Sequence, residues 1–388
     1  MKVVLTHPHF IQPSGAGTWV LDVAKALSDL GHQCHVICIK ADPRAHRGIP
    51  ATIHEVGGNL PATPWYWMNA RRAGARVRGV IRSIQPDVIV PGVFPASWWT
   101  LGHDLGVPQV WMAHDPGGLL FDRRYRRSLT TGWRIAIAMA GGFFRSMDRT
   151  RVRTADAVLA NSRFTRKAIQ AHYAVRATVC YPGVDARFFV PSGPKRRVVF
   201  AAGLWTAFKR LIPLIDAFHE LCESEPEIGW QLRIAGVGPT VREAKHRVEE
   251  LGLKSNVHFL GLITREELLR EYQQATVCAL PTQGEAFGLV PLEAMAAGTP
   301  VVAYNDGGPA ETIEHGVTGY LAESDQEFAR LLCLAGKDPA LGFRAREGVE
   351  TEWAWSVRAE SLVKQLQAAV DGLRASLGPP GPHSVKSE

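Results

Sequence analysis

No stretch of this 388-residue chain comes near the roughly 18–20 consecutive apolar residues of a membrane-spanning helix. Its first residues, Met1-Lys2-Val3-Val4-Leu5, run into His7-Pro8-His9, which is not the core of a signal peptide. The six cysteines (34, 38, 180, 222, 278 and 333) include no Cys-x-x-Cys pair and lie mostly in apolar runs. They read as reduced, buried thiols of a cytoplasmic protein. A complete Gly-x-Gly-x-x-Gly is also missing. Gly15-Ala16-Gly17 has Val20 in the third place and Gly236-Val237-Gly238 has Val241, which disfavours a dehydrogenase. With 46% hydrophobic and 21% charged residues and no internal repeat, the composition excludes disordered, collagenous and disulfide-scaffold classes.

What is present is a chain long enough for two ordinary domains. Short apolar runs recur with helical stretches between them: Lys2–Thr6, His35–Ile39, Asp87–Pro91, Gln109–Ala113 and Ala157–Ala160, then Arg197–Ala202, Gln231–Ala235, Asn256–Leu260, Thr276–Leu280 and Pro300–Tyr304. Several are continuous rather than alternating, as strands covered on both faces are. Alternating strands and helices predict parallel sheets with right-handed crossovers. The turn at Tyr181-Pro182-Gly183-Val184-Asp185 and the stretch Pro191-Ser192-Gly193-Pro194 mark the break between two doubly wound halves. The expected division is 1–190, 191–350, a C-terminal helix over 351–375 and a disordered tail over 376–388. A cleft between the halves is the default active site.

The net charge of +7 is concentrated. Nine arginines (123, 124, 126, 127, 134, 145, 149, 151 and 153) stand against Asp122 and Asp148, a surplus equal to that of the whole chain. This basic stretch fits either an anionic partner or a solvated helix face.

The strongest motif is Gly284-Glu285-Ala286-Phe287-Gly288-Leu289-Val290-Pro291-Leu292-Glu293. A strand ends in a polar turn, and Gly288 precedes a helical stretch whose free N–H groups and dipole favour an anion. Glu285 and Glu293 stand eight positions apart, ~12 Å on a helical rise, about the span from sugar to ribose in a nucleotide diphosphate sugar. An amphipathic helix with solvent-facing glutamates is the bland alternative.

Glu285 and Glu293 with Phe287-Gly288-Leu289 between them resemble the Glu-x7-Glu motif of glycosyltransferase family 4, retaining enzymes of the GT-B fold. Further segments match in order: Val301-Val302-Ala303, Asp306-Gly307-Gly308-Pro309-Ala310-Glu311, Gly316–Leu321, Asn256–Gly261, Asn161-Ser162 and the Pro-Gly-Val-Asp turn at 182–185. The resemblance covers roughly residues 1–375 and is most specific in the second half. It implies two Rossmann-like domains facing a central cleft, with the C-terminal helix packing back on the N-terminal domain. The N-terminal domain would bind the acceptor and the C-terminal one the nucleotide sugar.

The resemblance also implies the activity: transfer of a hexose from a UDP- or GDP-linked donor to a hydroxyl of a glycan, lipid-linked or small-molecule acceptor, with retention. It assigns Glu285 to the donor sugar, Glu293 to the ribose, His114 to a place beside the transferred sugar, and Lys209, Gly203, Phe287, Gly288 and Leu289 to the diphosphate region. The same resemblance implies that Leu260 lies beside the base, and the bare backbone of Gly15 and Gly17 can approach a phosphate or sugar closely. The family usually has an arginine five residues before Lys209; here Leu204 stands in that place, and Arg210 is the candidate substitute. The chain has no Asp-x-Asp, in agreement with a metal-independent reaction and no cofactor.

The acceptor side is expected near Gly15–Thr18, His114, and loops carrying Pro64-Trp65-Tyr66-Trp67 and Trp98-Trp99. Those aromatics either stack on sugars or sit at a membrane, or they are core. The region from Arg123 to Arg153, with Ile135–Met139 and Phe143-Phe144, offers an anionic membrane surface as partner, making the protein cytoplasmic and peripheral on the inner face. No nucleic acid partner is expected. Two other readings stand beside transfer: a nucleotide-sugar epimerase of the same fold, and a catalytically impaired nucleotide-sugar-binding homologue.

Overall fold

The computed structural model describes residues 1–11, 15–43, 48–58, 66–115, 118–122 and 131–377. Two parallel sheets form the molecule. The first runs, in spatial order, Thr52–Glu55, Gln33–Cys38, Lys2–Thr6 and Val88–Val90. A parallel bridge between Ile89 and Gln109 continues it into Val110–Ala113, Ala157–Ala160 and Thr178–Val179. The second has six strands in the order Val257–Gly261, Gln231–Ala235, Arg196–Ala202, Ala275–Leu280, Val301–Tyr304 and Gly319–Ala322.

Both follow the doubly wound 3-2-1-4 pattern, so each has a switch point where strand order reverses. In the second sheet it lies between Arg196–Ala202 and Ala275–Leu280, and a ligand crevice is expected outside their carboxyl ends. The continuous apolar runs are explained by cover on both faces. Val199, Phe200 and Ala201 are all fully buried, with Val199 and Ala201 in one core cluster and Phe200 in the other. Helix Leu211–Ser224 covers one face by burying Leu211, Leu214, Ile215, Phe218 and Leu221, an i, i+3, i+4, i+7 stripe.

Apolar spacing places the last helix over Trp353–Leu373, within the expected 351–375 segment; it forms Trp355–Leu377, its start delayed by a π-helical turn at Val349–Trp353. Leu362, Leu366 and Val370 pack into the core of the first sheet beside Val20, Val23 and Leu27, so the helix does return to the N-terminal half. The chain's crossings pair through the backbone. Val184 N–H donates to Trp353 O at 2.9 Å, and Trp355 N–H donates to Val184 O at 3.1 Å. A Cβ at Gly183 would lie 2.8 Å from the Trp355 backbone, so this approach requires glycine.

Several local expectations change. The strands Thr52–Glu55, Thr178–Val179 and Gly319–Ala322 are additional to the expected set. Tyr66 and Trp67 open helix Tyr66–Ile84, and Trp98-Trp99 lie on the short helix Ser97–Thr100, not on loops. Trp65, Arg123, Arg124, Arg126, Arg127 and the tail from 378 lie outside the described residues. Among the described residues no helix is long and apolar enough to cross a membrane.

Candidate functional site

Gly288 carries a φ of +86° and opens helix Leu289–Ala296 beyond the strand Ala275–Leu280. The preceding loop is gripped by Asp306-Gly307-Gly308. A Cβ at Gly307 (φ +68°) would lie 2.2 Å from Glu285 O, and one at Gly308 would lie 2.2 Å from Phe287 Cα. Gly308 N–H donates to Glu285 O at 2.8 Å. The two glycines are thus required for interlocking of the loops, which fixes the backbone under Glu285. Phe287 is buried beneath it.

The Glu285 carboxylate forms a close ion pair with Lys209 Nζ, both side chains mostly buried. Lys209 ends a 3₁₀ turn, Ala207–Lys209, at the carboxyl edge of Arg196–Ala202. The other side of this loop rests on glycines. A Cβ at Gly236 (φ +104°) would lie 1.9 Å from Gly203 O, and one at Gly238 would lie 2.1 Å from Trp205 O. What looks like a broken dinucleotide fingerprint is therefore a packing pair that lets the loop of Gly203 descend. Trp205 anchors it, with Nε1 donating to Ala235 O at 2.9 Å.

Leu204 is 63% exposed. Arg210 Nη2 donates to both carboxylate oxygens of Asp325 (2.5 and 2.7 Å), and the guanidinium lies 5.2 Å from the centre of the Tyr304 ring. One guanidinium nitrogen of Arg210 is thus committed to Asp325. In this structure Arg210 is anchored on Asp325 of the same domain.

Glu293 lies on the buried side of its helix, 8% exposed, and accepts a 2.9 Å hydrogen bond from Tyr272 OH. Burial pushes its carboxyl up to about 7, against the opposing pull of the Tyr272 hydrogen bond and of Arg265. Arg265 in turn pairs with Asp22 of the first domain at 3.1 Å. Leu260, half-buried at the end of Val257–Gly261, packs against the same core cluster as Phe287 and Leu292. Sequence reasoning missed Tyr272, Arg265 and Asp22, because nothing local marks a tyrosine or arginine as the partner of a distant carboxylate.

On the first sheet, His114 follows Val110–Ala113 and packs edge-to-face on Trp19, with ring centres 4.4 Å apart. Its Nε2 is buried without a protein partner, and burial lowers its pKa to about 4, so the imidazole is neutral. Gly15 and Gly17 begin helix Gly15–Asp29. A Cβ at Gly15 would meet nothing within 4 Å, so the protein's own packing does not demand glycine there. Trp99 is core, and Trp98 Nε1 donates to the buried Asp148 at 2.5 Å. The pair belongs to the scaffold rather than to a sugar platform. Three arginines of the basic stretch are likewise structural: Arg149, Arg151 and Arg153 donate to the carbonyls of His172, Trp98 and Leu101, and Tyr173.

Among the expected residues, Glu285, Lys209, Phe287, Gly288, Leu289 and Glu293 thus gather at the second sheet's switch point, with Gly203 on the neighbouring loop. Gly15, Gly17 and His114 lie in the first domain, the glycines at a helix start and His114 just beyond a strand end. A hydrogen-bonded path joins the two sides. Asn161 Nδ2 donates to His114 O at 2.9 Å, and the adjacent Ser162 Oγ donates to Ala286 O at 2.5 Å.

This geometry agrees with the comparisons. Residues 13–188 match the model described as Glycosyltransferase Family 4, and 185–348 match Glycosyl transferases group 1. A D-inositol 3-phosphate glycosyltransferase of Corynebacterium efficiens is 31% identical over 211 residues, 49% of this chain and 47% of that protein. A GDP-mannose-dependent alpha-(1-6)-phosphatidylinositol monomannoside mannosyltransferase of Mycobacterium tuberculosis is 31% identical over 238 residues, 55% of this chain and 62% of that protein. The matches therefore span about half to three-fifths of these relatives' lengths. In fold, the chain is similar to Anabaena HepE in complex with UDP and glucose, with a TM-score of 0.72, 22% identity, and 95% and 100% of the two chains covered. It is also similar to sucrose-phosphate synthase of Thermosynechococcus elongatus, with a TM-score of 0.76, 20% identity and the same coverage. With the two family models together spanning most of its length and its two doubly wound sheets arranged as in GT-B enzymes, this chain belongs to glycosyltransferase family 4.

Proposed function

We propose that the protein is a retaining hexosyltransferase that moves a sugar from a UDP- or GDP-linked donor to an acceptor hydroxyl without a metal ion. The observation that carries this reading is the Lys209–Glu285 pair beside the Gly288-opened helix, at the crevice where a doubly wound sheet holds nucleotides. Residues 191–350 form the donor domain and 1–190 the acceptor domain; 351–375 tie the two.

When the donor binds, Lys209 and the Gly288 and Leu289 amides meet the diphosphate, helped by the helix dipole. The Glu285 carboxylate then accepts hydrogen bonds from donor-sugar hydroxyls and sets the ring's orientation, a positioning role. Glu293 accepts from the ribose hydroxyls, and Leu260 borders the base. Neutral His114 offers a hydrogen bond to the transferred sugar, while the open side of Gly15 admits ligand close to the backbone, with Gly17 buried two residues further on. The C1–O bond to the β-phosphate breaks as the acceptor oxygen bonds C1 on the same face. The acceptor's proton passes to the leaving phosphate oxygen, giving a glycoside and a nucleoside diphosphate. Domain closure excludes water that would hydrolyse the donor. Glu285→Gln tests this: transfer should fall by ~100-fold or more with nucleotide affinity within a few-fold, since one charge-assisted contact to the reacting sugar is lost. Undiminished transfer would refute the role.

The two relatives act, by their names, on an inositol phosphate and a phosphatidylinositol mannoside, which supports an anionic or lipid-linked acceptor here. On helix Thr131–Val152, Ile135, Met139 and Phe143 form an i, i+4, i+8 stripe exposed by 55, 84 and 68%. The helix carries Arg134 and Arg145 besides the scaffold-bound Arg149 and Arg151, and its one acid, Asp148, is buried. An apolar stripe flanked by cations fits an anionic bilayer, whereas a second copy would set arginine against arginine. The protein is thus proposed as cytoplasmic and reversibly bound to the membrane's inner face. Leu204, with Arg210 held elsewhere, favours one second reading, a nucleotide-sugar-binding homologue of impaired turnover.

A further inference from the structure

Two side chains, one from each domain, join the loop of Glu285 and its neighbours to the opposite domain, and neither the sequence motifs nor the comparisons give them a role. Ser162 is fully buried and caps helix Arg163–Tyr173, accepting from Thr165 N–H at 2.9 Å while its own hydroxyl donates across the cleft to Ala286 O. Glu311 belongs to the second domain, just after the glycines that grip the Glu285 backbone. Its two carboxylate oxygens accept from Arg163 N–H and Phe164 N–H, each at 2.9 Å, and Oε2 also accepts from Tyr181 OH at 2.7 Å. The first N–H groups of a helix have no partner within it, and an anion is favoured there by the dipole. Here the anion comes from the other domain. These bonds therefore exist only when the two domains stand as they do in this structure.

The consequence concerns the reacting groups. Ser162 follows Asn161, whose side chain bonds His114 O, and the peptide that Ser162 contacts adjoins Glu285. The path His114–Asn161–Ser162–Ala286 sets the distance from one side of the cleft to the other, and Glu311 closes it from below. We propose that Ser162 and Glu311 are positioning residues that lock the Glu285 loop against the His114 strand end, so that donor sugar and acceptor meet only in the closed arrangement. This rests on the transferase reading for its kinetic consequence, though not for the contact itself. Small misplacements of reacting groups cost up to ~100-fold in rate.

Two variants and two measurements test it. Glu311→Gln keeps the shape but offers one carbonyl oxygen for two N–H groups and removes the charge facing the helix. Ser162→Ala removes the cross-cleft hydroxyl, and Ser162→Thr restores it with the cap. For Glu311→Gln and Ser162→Ala, kcat for transfer should fall ~10–100-fold, donor KM and nucleotide affinity should stay within about threefold, and the fraction of donor lost to hydrolysis should rise. Ser162→Thr should recover most of the rate. Small-angle scattering of the full chain should show a larger radius of gyration for Glu311→Gln than for the parent. Unchanged kcat and unchanged scattering in folded variants would overturn the proposal, as would a loss of nucleotide affinity equal to the loss of kcat. If the parent protein transfers no sugar, the functional reading fails and scattering alone decides the latch: a radius unaltered by Glu311→Gln refutes it.

Discussion

Replacing Leu204 with arginine should tighten the binding of a nucleoside diphosphate. Leu204 is exposed and belongs to none of the core clusters, so its loss should change stability by no more than ~0.5 kcal/mol. The loop that carries it is already held by Trp205 Nε1 and by the close approach of Gly236 and Gly238, so a longer side chain need not move it. A charge-assisted hydrogen bond contributes ~1.5–3 kcal/mol net, and exposure of this position reduces that to ~1–2 kcal/mol. The expected gain is therefore about 5–30-fold in Kd. Calorimetric titration with UDP and GDP, repeated with the nucleosides alone, separates phosphate from base. Because the new contact is exposed and ionic, the gain should shrink as salt rises from 50 to about 500 mM. An unchanged Kd in a folded variant, or an equal gain for uridine without phosphate, would refute the placement of the diphosphate beside this loop.

Two other perturbations follow from the site's electrostatics and surface. Glu293, held up to about 7 by burial, keeps its proton in the fold where the unfolded chain has released it, so stability should fall as pH rises from about 4.5 through 7. Tyr272, Arg265 and Asp22 face it, and Asp22, itself raised to about 6 by burial, adds to the same slope. Glu293→Gln should remove up to ~3 kcal/mol of the loss between pH 5 and 8 in denaturant titrations, and an identical profile would contradict the shift. Changing Met139 and Phe143 together to Asp should abolish co-sedimentation with vesicles rich in anionic lipid while leaving solution activity on a soluble acceptor intact. Parent protein that ignores such vesicles would end the membrane reading.

Much of the fold was legible because strands covered on both faces read as unbroken apolar runs, as Val301–Tyr304 does, with Val302 and Tyr304 in one core cluster and Val301 and Ala303 in the other. Thr52–Glu55 escaped because it is a polar edge strand, and Gly319–Ala322 because it is short and opens on glycine. In the site, Glu285, Gly288 and Glu293 were visible through their spacing, which one helix start enforces. The partners were not. Lys209 and Glu285 stand 76 positions apart, Ser162 and Ala286 stand 124, and no local pattern connects them. The sequence also misled where one residue type serves two purposes. Gly236 and Gly238 look like a ligand loop yet act by close packing, and Arg151 looks like surface charge yet staples two carbonyls of the scaffold.

The central claim, that the crevice beside Lys209 and Gly288 holds the diphosphate of a sugar donor, is tested most directly by titrating the full chain with UDP and GDP in parallel, in chelator. One nucleotide should bind with a Kd on the order of micromolar, and Lys209→Ala should weaken it ~10–100-fold, the loss of one charge-assisted contact. Binding of neither, or binding indifferent to Lys209, would contradict it.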